Sequence, residues 1–216
     1  MTTEQQKFMD IKNTTNWKKV GEDVDYVVIV DHDKEEVVLQ FRESDSREDW
    51  KHNFQFLPWP LKLDNKIVWT TRGYAIAYKS ARDIPINDFV DAYLFTGLPG
   101  YKACIRGWSF GSAMAKIAAR HFLILSGFEH RLIHVIDELT TFGDVKCWLN
   151  PFYKAKGIRR LREYVTPNDG VTYCVPFYHR EKKCKVGPRF SLRELFHSEK
   201  YHMHYEEYDY SKWEEE

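Results

Sequence analysis

The chain has 216 residues, 43% of them apolar and 16% aromatic, enough to bury one core flanked by helices and too apolar for a disordered polymer. Its 32 Lys and Arg residues balance 32 Asp and Glu residues, so no basic field points to nucleic acid and no cationic amphipathic segment points to a membrane surface. No apolar run approaches a membrane span, MTTEQQKFMDIKNTTNWKKV lacks the apolar run of a secretory signal, and Cys104, Cys147, Cys174 and Cys184 form no C-x-x-C pair. These features lead us to expect a cytoplasmic protein without an integral membrane segment.

No linker or repeat divides the chain, so it reads as one domain over 1–216, with 1–20 and 209–216 as peripheral termini. DYVVIVD and EEVVLQFR are two β-branched runs separated by His32-Asp33-Lys34, the pattern of strands joined by a tight turn. NKIVWTTRGYAIAYKSA begins as a strand and passes through Gly73 towards a helix. INDFVDAYLFTGL carries Ile86, Phe89, Val90, Tyr93 and Leu94 at the spacing of a helix with one buried face. YKACIRG reads as a short buried strand, and Met114, Ile117, Ala118, Phe122 and Leu125 then share a helical face that Gly127 stops. LIHVIDELTTFGD ends in a Thr-Thr-Phe-Gly turn. RLREYVTPND and GVTYCVPF flank Asn168-Asp169-Gly170, which puts Asp169 in a loop after a strand. Strands alternating with helices indicate an α/β sheet protein.

Between the YKACIRG strand and the helix after it lies Gly107-Trp108-Ser109-Phe110-Gly111. A glycine-x-serine-x-glycine pentapeptide is weak by itself, but a nucleophile elbow requires this strand-to-helix setting, with glycines where side chains would strike the adjoining elements. A serine hydroxyl needs a histidine to take its proton and a carboxylate to orient that histidine. Asp169 and then His202 or His204 follow Ser109 in the required order. Asn-Asp-Gly is also ordinary turn chemistry, so spacing leaves both readings of Asp169 open. On an extended segment His202 and His204 would point to opposite faces, so only one could meet Ser109. The N–H of Phe110, at a helix start, is one candidate oxyanion donor, and Ser44, in FRESDS after an earlier strand, is the other.

At these residues the sequence resembles the class 3 lipases, the fungal-type triacylglycerol lipases with bacterial and viral relatives. GWSFGSAMA is similar to the family's elbow GHSLGGALA. FRESDSREDWKHNFQF resembles its oxyanion loop, with Phe41, Arg42, Ser44, Asp49 and Trp50 in step. Arg72-Gly73-Tyr74, the Thr141-Phe142-Gly143 turn, REYVTPNDGVTYCVPF and YHMHYEEY are similar to its later motifs, from about Tyr26 to Tyr208. The resemblance implies a small bacterial or viral member with an α/β-hydrolase fold, a central mostly parallel sheet flanked by helices. It further implies Ser109 as nucleophile, Asp169 as orienting acid, His202 as base, and Ser44 and Phe110 as the oxyanion hole. His202 is preferred to His204 because Glu206, four positions on, suits the family's spacing. Trp108 stands where the family has histidine, Glu43 where it has glycine, and Ser112 where it has a second glycine.

The segment 46–61, SREDWKHNFQFLPWPL, falls where these lipases carry a lid, and reads either as an amphipathic cover at the cleft mouth or as a surface helix. Trp50 within it and Trp108 beside the nucleophile are the residues expected to meet substrate. Cys174, His179 and Cys184 lack zinc-site spacing, and His197 with His202 would compete with the triad, so no metal is expected. The function expected is a cofactor-free serine hydrolase of small-molecule or lipid esters working through an acyl-enzyme, with no nucleic-acid partner. Thioester or amide hydrolysis, or a binding module retaining the fold, are the alternatives.

Overall fold

The computed structural model describes residues 2–21, 24–42, 55–81, 83–96, 100–127, 135–149, 156–173, 183–187, 198–210 and 214–215. The chain begins with helix α1 (Thr3–Asn13), started by a capping box in which Thr2 and Gln5 satisfy each other's backbone N–H groups. Strand β1 (Lys18–Val20) pairs antiparallel with β2 (Val24–Asp31), and β2 with β3 (Glu36–Phe41). Asp31 closes the β2–β3 turn by accepting the N–H groups of Asp33 and Lys34, as Asx turns do.

A separate hairpin follows, β4 (Pro58–Leu63) with β5 (Lys66–Thr71). Thr71 then caps helix α2 (Arg72–Ser80), and α3 (Ile84–Thr96) leads back to the main sheet. The central hydrophobic run comprises β6 (Lys102–Trp108), α4 (Phe110–Leu125), β7 (Ile136–Phe142) and β8 (Ile158–Val165). Short strands β9 (Lys183–Lys185) and β10 (Glu214–Glu215) flank helix α5 (Ser198–Met203) in sequence. The eight-stranded sheet runs β1-β2-β3-β6-β7-β8-β9-β10. Every pairing from β3 to β9 is parallel and the outer ones are antiparallel.

Strand alternation sends side chains to two faces. Ala103 and Ile105 of β6 and Leu139 of β7 meet α4 through Ala113, Ile117 and Ala118, in a core that includes α2 and α3. Trp108 and Phe142 join a second cluster with Phe8, Ile11, Tyr164, Tyr205, Tyr208 and Tyr210.

That second cluster corrects the expectation of peripheral termini. Phe8 is fully buried, 5.1 Å from the Trp108 ring and 5.3 Å from Phe142 in edge-to-face contacts, and Tyr210 stacks edge-on against Tyr164 at 4.8 Å. Segments 1–20 and 209–216 therefore supply core side chains and the strands β1 and β10. Their apolar residues are spaced among charges, which hides the buried stripe from an inspection of composition.

Beneath α1, Lys7 Nζ reaches Glu138 Oε2 at 2.6 Å, both side chains being almost inaccessible to water. Burial alone would raise the Glu138 carboxyl, but Lys7 and the neighbouring Arg106 outweigh it and hold the group below its ordinary value. A carboxylate with a depressed folded value contributes stability at neutral pH that disappears as pH falls through that value. Glu138→Gln is expected to cost about 2 kcal/mol at pH 7. Below roughly pH 4.5 its unfolding free energy should converge on that of the wild type, as denaturant titrations across pH would reveal.

Candidate active site

Strand β6 ends at Trp108, and the chain turns at Ser109 with φ 56° and ψ −124° before α4 begins. A non-glycine residue in this region stores roughly 1–3 kcal/mol of backbone strain. The turn is held because Ser109 N–H donates to the Phe142 carbonyl at 2.9 Å and Ser112 N–H to the Ser109 carbonyl at 2.8 Å. Both elbow glycines are sterically required. A Cβ on Gly107 would lie 2.3 Å from the Gly111 carbonyl oxygen, and one on Gly111 would lie 2.3 Å from that of Arg42.

The Ser109 hydroxyl lies 2.6 Å from His202 Nε2, and His202 Nδ1 lies 2.7 Å from Asp169 Oδ2. All three residues are buried. An ionised Asp169 has no proton to give, so Nδ1–H is the donor to it and Nε2 is left to accept the serine proton. Asp169 sits between the end of β8 and a 3-10 turn at Gly170–Tyr173. Its Oδ1 accepts Val171 N–H at 3.1 Å, and its own carbonyl accepts the Thr172 hydroxyl. The turn chemistry of Asn168-Asp169-Gly170 and the approach to histidine therefore coexist in one residue.

The histidine stands on α5, where a helix replaces the extended segment expected from sequence. His204, just beyond the helix, has its side chain half in solvent, with Nδ1 3.5 Å from Glu206 and 3.6 Å from Glu207. Phe110 is the first residue of α4, where backbone N–H groups have no intrahelical partner and the helix dipole favours negative charge. Ser44 and Trp50 lie outside the described residues, as do Cys174, His179 and His197. The expected cover 46–61 divides. Its first nine residues lie outside the description, whereas Pro58–Leu61 belong to β4, with Leu57 and Trp59 exposed. Among the described residues no group of three His, Cys, Asp or Glu side chains could hold a metal, and no helix is long and apolar enough to cross a membrane.

Trp108, expected to meet substrate, is buried against the body of the protein. It is 4% exposed, packs on Phe8 behind the histidine, and donates its indole N–H to the His202 carbonyl at 3.2 Å. Alternation along β6 turns it to the face that α1 covers.

Three further groups shape the site, none of them among its expected residues. Tyr205 Oη donates to Asp169 Oδ2 at 3.1 Å and accepts Thr166 N–H at 3.0 Å. Burial first, and then the Asp169 charge, push its phenol well above the usual value, so it remains a donor at every working pH. Its signal in sequence is an aromatic three positions after His202. Gly143, at φ 53°, lets the histidine ring rest on the backbone, for a Cβ there would lie 2.7 Å from His202 Cε1. Lys116 is fully buried on α4, with Nζ 3.0 Å from Asp144, 3.2 Å from Glu163 and 2.6 Å from the Val145 carbonyl. A single cation in the apolar run SAMAKIAA was the legible hint of a buried carboxylate opposite. With Ser112, which accepts Val145 N–H at 3.1 Å, it ties the turn after β7 to the elbow helix.

The fold is similar to those of solved fungal lipases. A triacylglycerol lipase whose catalytic centre is a serine protease triad superposes with a TM-score of 0.62 at 19% identity, over 80% of this chain and 66% of that one. The triacylglyceride lipase of Rhizomucor miehei gives 0.61 at 21% identity, over 79% and 66%. Lipase II of Rhizopus niveus gives 0.59 at 21%, over 76% and 61%. The chain thus spans just under two thirds of the length of these lipases. No protein-family model matches the sequence, and no curated protein matches it. At such identities the likeness speaks for the fold. The chain has the α/β-hydrolase fold seen in the fungal-type lipases, the fold implied by the elbow and the motifs around it.

Gly143→Ala should displace the His202 ring while altering no reacting group. We expect at least a tenfold fall in turnover, because ångström-scale misplacement of a catalytic group is costly. A stopped-time assay of ester hydrolysis alongside a thermal melt would separate this from loss of fold.

Proposed function

We propose that the chain is a serine hydrolase that cleaves carboxylic esters through an acyl-enzyme intermediate. The observation that carries this reading is the unbroken hydrogen-bonded path from Ser109 Oγ through the His202 imidazole to Asp169, mounted on a strained strand-to-helix turn. The likeness in fold to triacylglycerol lipases supports an ester as substrate class and a lipid ester as its natural form.

Ser109 attacks the ester carbonyl while Nε2 of His202 takes its proton. The imidazolium so formed is stabilised by Asp169, which keeps the ring in one orientation without itself becoming protonated. Charge collects on the former carbonyl oxygen, which the N–H of Phe110 at the head of α4 is suited to receive, with Ser44 as the second donor. His202 then gives the proton to the departing alcohol. Water enters, is deprotonated by the same nitrogen, and releases the acid. No step calls for a metal or a cofactor.

Hydrolysis of p-nitrophenyl butyrate by purified variants tests the assignment. Ser109→Ala and His202→Ala should each lower kcat by roughly 10⁴-fold or more, since the members of such a unit act together. His204→Ala should remain close to wild type. Full activity in Ser109→Ala would end the proposal.

A further inference from the structure

Helix α5 has six residues, so its last carbonyls must find partners outside it. Tyr208 Oη donates to the Tyr201 carbonyl at 3.1 Å, Lys12 Nζ approaches the Met203 carbonyl at 3.5 Å, and Trp108 Nε1 donates to the His202 carbonyl at 3.2 Å. Only the last of these takes hold of the residue that carries the imidazole, and it is a fully buried contact.

Trp108 is itself fixed. Its main chain lies within the parallel register of β6 with β7, opposite Phe142, and its ring is braced edge-to-face by Phe8. The Trp108 and His202 ring centroids are 6.4 Å apart at a 35° tilt. Consecutive residues therefore grip one histidine at two points, Trp108 at its backbone carbonyl and Ser109 at its Nε2. The two contacts close a ring of bonds that runs from the serine hydroxyl through the imidazole and the His202 main chain to the indole, and back along one peptide unit to Ser109.

Within that ring the distance from nucleophile to base is set by the last residue of β6 as well as by the long C-terminal segment. We propose that Trp108 is a positioning residue for the general base, and that its indole N–H, rather than its bulk, performs this role. Trp108 has this role only if Ser109 and His202 are nucleophile and base. α1 becomes part of the same device, because Phe8 keeps the indole from swinging away.

Two substitutions separate the hydrogen bond from the packing. Trp108→Phe keeps an aromatic ring and loses the donor. Trp108→His loses the second ring but can present Nε2–H at the position the indole nitrogen occupies. Both are compared with wild type for kcat and KM on p-nitrophenyl butyrate, with a thermal melt of each. Trp108→Phe should lose roughly ten- to a hundredfold in kcat with KM nearly unchanged, the mark of a misplaced catalytic group. Trp108→His should keep kcat near wild type while melting at the lower temperature of the two. A Phe variant with wild-type kcat overturns the proposal, as do two variants whose kcat falls only in step with their stability. If wild type itself has no turnover, the reading of the triad fails first and the positioning role goes with it.

Discussion

The close approach of α4 to the ends of β3 and β6 is the constraint on which the rest of the site depends. Gly111 lies against the carbonyls of Phe41 and Arg42, Gly107 lies against Gly111 and Ala115, and no side chain larger than hydrogen fits at either glycine. That contact drives Ser109 into a left-handed conformation, lifts its hydroxyl off the sheet, and brings the first N–H groups of α4 to the same place. The strain is borne because residues on both sides are locked. β6 is buried from Ala103 to Trp108 between parallel neighbours, and α4 is buried along most of its length. Ser109, the first N–H groups of α4 and His202 are thus held by elements that gain their order from the core.

Buried charge performs a related task on the far side of the elbow. Lys116, Asp144 and Glu163 are inaccessible to water, with the lysine paired to both carboxylates and Thr141 donating to Asp144 at 2.8 Å. Buried ions of this kind rarely add much net stability over apolar packing, but each becomes costly once a partner is missing. Their effect here is to give the turn after β7 one arrangement, and that turn carries Gly143 against the His202 ring. Lys7 with Glu138 does the equivalent for α1, whose Gln5 also donates to the carbonyls of Glu206 and Tyr208. The N-terminal helix thereby fastens the segment that follows the histidine.

Much of this was legible in the residues. The strand and helix around Gly107–Gly111 stood out because β6 is a short apolar run and α4 repeats apolar residues at helical spacing. The order of Ser109, Asp169 and His202 limited the chemistry. β4 was not legible, because Pro58 and Pro60 argue against a strand. They are tolerated there because, among the described residues, this strand pairs only with β5. The helix bearing His202 was hidden for another reason. It is short, and its orphan carbonyls are satisfied by Tyr208, Lys12 and Trp108, which are set by tertiary structure and leave no periodic trace. The place of Trp108 beside the serine suggests a substrate contact, whereas strand alternation along β6 packs its ring against Phe8 of α1. Tyr205 and Lys116 left signals that acquire meaning only once Asp169 and Asp144 are seen opposite them.

The most direct test of an activated serine is covalent. A fluorophosphonate reacts with a serine whose proton is taken by a neighbouring base and whose product oxyanion is stabilised, and the adduct can be weighed. The expected result is a single added phosphonyl group per chain, mapped by peptide mass spectrometry to the peptide containing Ser109. An unmodified chain under conditions that saturate a known serine esterase, or an adduct on a different residue, would contradict a nucleophilic role for Ser109.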